Sequence, residues 1–221
     1  DCDKRDQGPL FLLAGSRELG GAAMMAALAA LKAGVGLVTV GIPESLHASF
    51  AAQRPEAMWV PLPETPEGGL ALEGLGKVRQ FLLKATALAI GPGLGTEGET
   101  HSLVRETLSF FEGPVVLDAD ALRPEILSDA QNPDRLVLTP HAGEFARLSE
   151  GRSPKDYVSQ SGSTLVLKGA HTQIVSPPAH HYSFVGSSLL ARGGSGDLLT
   201  GILGALIAKK IFDIPTSASL A

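Results

Sequence analysis

Five short apolar runs, each closed by glycine or polar residues, constrain this chain more than any other feature. Residues 10–14 end in Gly15-Ser16, and Ala87–Ile90 ends in Gly91-Pro92-Gly93-Leu94-Gly95. Val115–Leu117 ends in Asp118-Ala119-Asp120, Leu136–Leu138 in Thr139-Pro140-His141, and residues 165–167 in Lys168-Gly169. Runs this short and this apolar read as strands buried on both faces. Helical stretches separate them. An alanine-rich helix over 22–32, with Gly34 suited to its C-terminal cap, precedes a strand at 37–40 and completes a βαβ unit. Further helices are expected over 45–52, 75–83 and 100–111. A strand is expected at 58–60, before a surface loop marked by Pro61, Pro63, Pro66 and Gly68-Gly69. Thr172–Ser176 and residues 182–184, parted by Pro177-Pro178, read as an edge hairpin. The alternation predicts a single α/β domain over 1–221, a three-layer fold with a mostly parallel central sheet flanked by helices. Such sheets bind ligands at the carboxyl ends of their strands, so the five turns should converge on one cleft.

Two places read as short. Residues 149–163 show no clear apolar period and leave room for only a stub of helix. Ile214-Pro215 sets up a further helix just before Ala221. Both places read as segments missing or trimmed.

The stretch from Leu189 to Lys209 carries the clearest chemistry. Gly193-Gly194-Ser195-Gly196 forms a small turn, Asp197 stands where a helix should begin, and Leu198, Leu199, Ile202, Leu203, Leu206 and Ile207 give that helix a buried face. Glycines let a backbone approach an anion, and the free amides of a first helical turn would face it. Asp197 among those donors is a base or merely a helix cap.

Bulk properties exclude several classes. A net charge of −5 without a basic stripe argues against nucleic acid. Small phosphorylated ligands stay open, because backbone amides can hold them. A lone cysteine, Cys2, and the lack of a signal-like or membrane-length apolar segment lead to the expectation of a cytoplasmic protein away from membranes.

Six motifs in order resemble one family, the ADP/ATP-dependent NAD(P)H-hydrate dehydratases, whose fold is ribokinase-like. They are LLAGSRELGGAAMMAALAALKAGVGLVTV, AIGPGLG, VLDADAL, LTPHAGEFARL, LVLKGAHT and GGSGDLLTGILGALIA. The resemblance implies a cofactor-repair lyase that returns NADHX or NADPHX to NADH or NADPH, using ADP or ATP to phosphorylate the ring hydroxyl. It implies Asp197 as the catalytic carboxylate and Gly194, Ser195 and Gly196 as the anion hole. Lys168, Gly169, Ala170, His171, Thr172 and Gly196 would line the adenine nucleotide. Ala22, Gly93, Gly95, His141 and Asp197 would hold the hydrated dinucleotide. Mg²⁺ is expected on the nucleotide phosphates with no protein ligand assigned, and a homo-oligomer is expected.

Each residue has a plainer reading. Ala22 could be a close-packed helix start, the Gly91 to Gly95 stretch an empty turn, His141 a cap for the next helix and Lys168 a solvated charge. Asp118 and Asp120 suggest a carboxylate pair, but one is read as a cap and the other as ordering the cleft. Glu144 could reach metal-bound water. Arg192 and the stretch Gly186-Ser187-Ser188-Leu189 depart from the family pattern, at the anion hole and at a substrate contact. A ribokinase-like kinase of a small alcohol would use the same anion hole and base, and a non-catalytic nucleotide sensor would keep only the binding. A Rossmann dehydrogenase is disfavoured, since Leu13-Ala14-Gly15-Ser16-Arg17 lacks G-x-G-x-x-G.

Overall fold

The computed structural model describes residues 8–186 and 192–221. Cys2 and residues 187–189 of the departure after Gly186 lie outside them. Among the described residues, nine strands form one sheet in the order β3-β2-β1-β4-β5-β6-β7-β8-β9. The strands are β1 (Pro9–Leu13), β2 (Leu37–Pro43), β3 (Met58–Leu62), β4 (Ala87–Ile90), β5 (Val115–Leu117), β6 (Leu136–Leu138), β7 (Thr164–Leu167), β8 (Thr172–Ser176) and β9 (Ala179–Ser183). The first seven run parallel, and β8 and β9 turn back antiparallel at one edge. The expected α/β layering with helices on both faces is what the chain adopts.

Alternate residues of the central strands feed two cores. Phe11, Leu13, Leu88, Ile90 and Leu117 pack with α3 (Leu75–Leu82) and α4 (Gly98–Phe110) on one face. Leu10, Leu12, Ala87, Ala89 and Val116 pack with α1 (Gly20–Lys32) and α8 (Ser195–Ala208) on the other. Small residues explain how closely the latter two helices meet. A methyl group at Gly201 would fall 2.1 Å from the carbonyl oxygen of Ala26, so backbone lies on backbone there.

Several expectations are corrected. The stretch after Phe145 holds two helices, α6 (Ala142–Ser149) and α7 (Pro154–Ser161). The second is set by local signals, with the Ser153 hydroxyl accepting from the Asp156 amide, Pro154 in the first turn and Gly162 left-handed after it. It buries only Tyr157 and Val158, too few for an apolar period. Pro61 belongs to β3, tolerated because β3 is an edge strand. The last strand runs over Ala179–Ser183 rather than 182–184, starting directly after Pro177-Pro178. Short helices α2 (Glu44–Gln53), α5 (Pro124–Leu127) and α9 (Ile214–Leu220) complete the set. The expected helix at Ile214-Pro215 is thus α9.

Candidate active site

The five turns do converge. At the carboxyl ends of the strands, each backbone hands a hydrogen bond to its neighbour. Gly15 N–H donates to Pro92 O (2.8 Å), Asp118 N–H to Ile90 O (3.0 Å), Thr139 N–H to Leu117 O (3.1 Å) and Lys168 N–H to Pro140 O (2.8 Å). His141 and Lys168 form an isolated parallel bridge that extends the β6–β7 register into the cleft. Side chains continue the lacing, for the Gly95 amide donates to Asp120 Oδ2 at 2.9 Å. Asp120 therefore orders the glycine turn, as expected of one member of the Asp118/Asp120 pair.

Asp118 does something the sequence reading missed. It makes no side-chain cap. Its carboxylate is 1% exposed and accepts from Lys168 Nζ at 2.7 Å and from Thr200 Oγ1 at 2.8 Å. Lys168 is accordingly not a solvated charge. Its ammonium is held beneath the α8 turn, 3.3 Å from where a Cβ on Gly196 would sit. Thr200 lies on α8 itself, so one buried carboxylate ties the end of β7 to the helix that follows the turn at 193–196.

That helix begins at Ser195, two residues before the expected start, with Gly194 as N-cap in the left-handed region at φ 87°. A side chain at Gly194 would be strained by that backbone conformation, and its Cβ would also have to displace Met25 Sδ, 2.5 Å away. The first ladder bond is Leu198 N–H to Gly194 O, 3.0 Å, so the Gly196 and Asp197 amides precede the ladder and face out of the helix end. Ser195 is partly spent, its amide reaching Arg192 O at 3.4 Å and its hydroxyl the same oxygen at 3.0 Å.

Asp197 is not a cap. It sits within the first turn of α8, three residues after the Gly194 cap and half-buried, and its carboxylate accepts no hydrogen bond among the described residues. Helix-end donors alone would hold its pKa low, but its surroundings act the other way. Burial pushes the pKa up, the neighbouring charge of Asp118 adds to this, and Lys168 opposes it. A carboxylate so placed is a stronger proton acceptor than a free one.

The remaining expected residues fall on two sides of this turn. A Cβ at Gly93 would sit 3.0 Å from Ala22 Cβ and 2.5 Å from Leu19 O, so Ala22 and Gly93 form one close-packed wall. Gly95 follows on the same turn. His141 is the N-cap of α6, its Nδ1 accepting from the Gly143 and Glu144 amides at 3.0 and 3.2 Å, while Glu144 Oε2 takes the His141 amide at 2.7 Å. The capping reading of His141 therefore holds, and its exposed ring still faces outward. This box also engages Glu144. Gly169, Ala170 and His171 are exposed and Thr172 opens β8, with the His171 ring 5.1 Å from that of Phe184. Among the described residues, no three acidic, histidine or cysteine side chains gather as a metal cage. None of their helices is long and apolar enough to cross a membrane.

Comparison with known proteins agrees with the geometry. Residues 10–220 match the sequence profile of the Carb_kinase family, NAD(P)H-hydrate dehydratase. The bifunctional NAD(P)H-hydrate repair enzyme Nnr of Moorella thermoacetica is 40% identical over 218 residues, 91% of this chain and 41% of that protein. The chain thus spans about two fifths of the curated relatives it matches. A ribokinase-like superfamily protein from Enterococcus faecalis superposes with a TM-score of 0.86 at 27% identity, covering 100% of this chain and 78% of the other. The ADP/ATP-dependent NAD(P)H-hydrate dehydratase of Bacillus subtilis, co-crystallized with ATP/Mg²⁺, gives 0.80 at 30% identity, again covering 100% and 78%.

Proposed function

Because the chain belongs to the NAD(P)H-hydrate dehydratase family, we propose that it dehydrates NADHX or NADPHX at the expense of ADP or ATP, with Asp197 as the proton acceptor. The observation that carries this reading is the Asp197 carboxylate, without a partner among the described residues, beside the outward amides of Gly196 and Asp197, with the Lys168 ammonium beneath.

Hydroxide is a poor leaving group and phosphate a good one. The terminal phosphoryl group passes to the oxygen on C6 of the hydrated ring, and Asp197 takes the hydroxyl proton as the new P–O bond forms. The ring nitrogen then expels phosphate, breaking C6–O, and loss of a proton from C5 restores the dihydropyridine. The anion turn supplies positioning and charge neutralisation, the main needs of phosphoryl transfer. Lys168 adds a fixed positive charge. Lys168 to Thr172 and Gly196 line the nucleotide; Ala22, Gly93, Gly95 and the exposed ring of His141 line the dinucleotide. The described residues offer no cage for Mg²⁺, so the ion would be held chiefly by the nucleotide phosphates.

The test is recovery of dihydronicotinamide absorbance from purified hydrate with each nucleotide. Wild type should restore it, and Asp197→Asn should lose roughly 10²–10⁴-fold in rate while still binding ADP. Near-normal turnover in the mutant would remove Asp197 from the chemistry. A phosphorylated alcohol product without absorbance recovery would identify a kinase.

A further inference from the structure

The hydrated dinucleotide is much longer than its reacting ring, and if the dehydratase reading holds, the rest of it must leave Asp197 along the row of strand ends. One direction is taken, since Lys168 and residues 169–172 at β7 and β8 are assigned to the adenine nucleotide. The other leads along the start of α1. Met25 abuts Gly194, Ala22 abuts Gly93, and Leu19, half exposed, also abuts Gly93. The same segment ends at Arg17, one wall of an open groove of about 650 Å³ lined by Arg17, Glu44, Ser45, Glu64, Thr65 and Pro66. The groove lies past the ends of β1, β2 and β3, roughly 10–14 Å from β4 at ordinary strand spacing. Thr65 ties it back to the site, donating to Glu97 Oε2 at 2.7 Å, two residues beyond Gly95.

The charges of this groove decide what it can hold. The Glu64 side chain is largely covered and engaged, accepting from Arg17 Nε and Nη2 at 3.1 and 2.8 Å and from the Ser45 amide at 2.6 Å. Burial raises its pKa, but those bonds outweigh it and the net shift is downward, so it stays ionised at neutral pH. Arg17 is held as well, its charge matched by Glu64 and its Nη1 donating to Pro66 O at 3.2 Å. Glu64 also fills the end of α2 that could otherwise attract a phosphate. Glu44 remains, exposed in the first turn of α2 and without a hydrogen bond among the described residues. The groove is therefore net negative, and Glu44 is its carboxylate without a partner among the described residues. Such a surface takes hydroxyl donors and repels a further phosphate, as acidic residues do at the ribose of NAD sites.

We propose that this groove holds the adenosine ribose of the hydrated dinucleotide, with Glu44 accepting from its hydroxyls, so that NADHX is preferred over the 2′-phosphorylated NADPHX. The test compares kcat/KM for the two hydrates at saturating nucleotide in wild type, Glu44→Ala and Glu44→Arg. Glu44 is exposed, so the variants should fold, and melting curves check this. Wild type should favour NADHX by about tenfold or more, the scale of one hydrogen bond to a charged group. Glu44→Ala should bring the two values together through KM, with kcat for NADHX nearly unchanged, and Glu44→Arg should favour NADPHX. Turnover of both hydrates without preference in wild type, or with an unchanged ratio in folded variants, overturns this inference alone. Turnover of neither hydrate by wild type overturns the dehydratase reading and this inference with it.

Discussion

Replacing Lys168 by Met should destabilise the protein more than replacing Asp118 by Ala, although the two side chains share one ion pair. In Lys168→Met, a carboxylate whose side chain is 2% exposed loses the ammonium at 2.7 Å and keeps only the Thr200 hydroxyl. A buried charge stripped of its partner costs about 3–5 kcal/mol. In Asp118→Ala the survivor is better off. Lys168 is 22% exposed and can turn to water, and the Thr200 hydroxyl keeps Gly196 O at 3.1 Å. The loss should be about 1–3 kcal/mol. Removing both charges should cost less than Lys168→Met alone, because no unpaired ion is left inside. Urea unfolding at neutral pH reads this directly. With a slope of about 2 kcal/mol/M, Lys168→Met should lower the midpoint by roughly 1.5–2.5 M. Equal losses in the single mutants, or a double mutant as poor as their sum, would refute the view that this buried pair holds the cleft floor together.

Three other outcomes are expected. Gly201→Ala should cost roughly 1–3 kcal/mol or more in chemical denaturation, since the new methyl group would meet the Ala26 carbonyl at 2.1 Å. Asp197→Asn should melt higher than wild type at neutral pH. The folded-state pKa of Asp197 is raised above its free value of 3.8, so its ionised form weakens the fold above the folded pKa, and the mutant's advantage should vanish as pH falls through it. Arg192 is exposed beside the anion turn, so Arg192→Ala should weaken ADP binding at low salt and much less at high salt by calorimetry; unchanged low-salt affinity would make it an idle side chain.

What could be read from sequence was whatever local patterning controls. The strand runs, the βαβ start and the convergence of the five turns follow from apolar runs ending in glycine or polar residues. His141 and Glu144 stand three apart before an apolar run, and their capping box is as local as the cap expected for His141. Helix α7 escaped because its signals were terminal, Ser153-Pro154 and Gly162, while its body offers the core only Tyr157 and Val158. The role of Asp118 was hidden for another reason. Its partners are 50 and 82 residues away, and only strand order brings them together. The raised pKa of Asp197 was likewise invisible, since burial and the charge of Asp118 exist only in the folded state. The Arg17–Glu64 groove needed the crossing of three strand ends.

The meeting of α1 and α8 at Gly201 limits how this cleft can work. Ala22 and Met25 ride on one helix and the anion turn on the other, and carbonyl against bare Cα leaves no slack between them. The two helices must travel as a single block, so the distance from Ala22 and Met25 to the glycine turn at the start of α8 is a constant of the scaffold. Opening and closing has to be carried by chain outside that block, such as the 16–19 loop and the β8–β9 edge. An attempt to admit a bulkier ligand should widen the loop around Leu19, because tilting α1 would displace Asp197 and the glycine turn together.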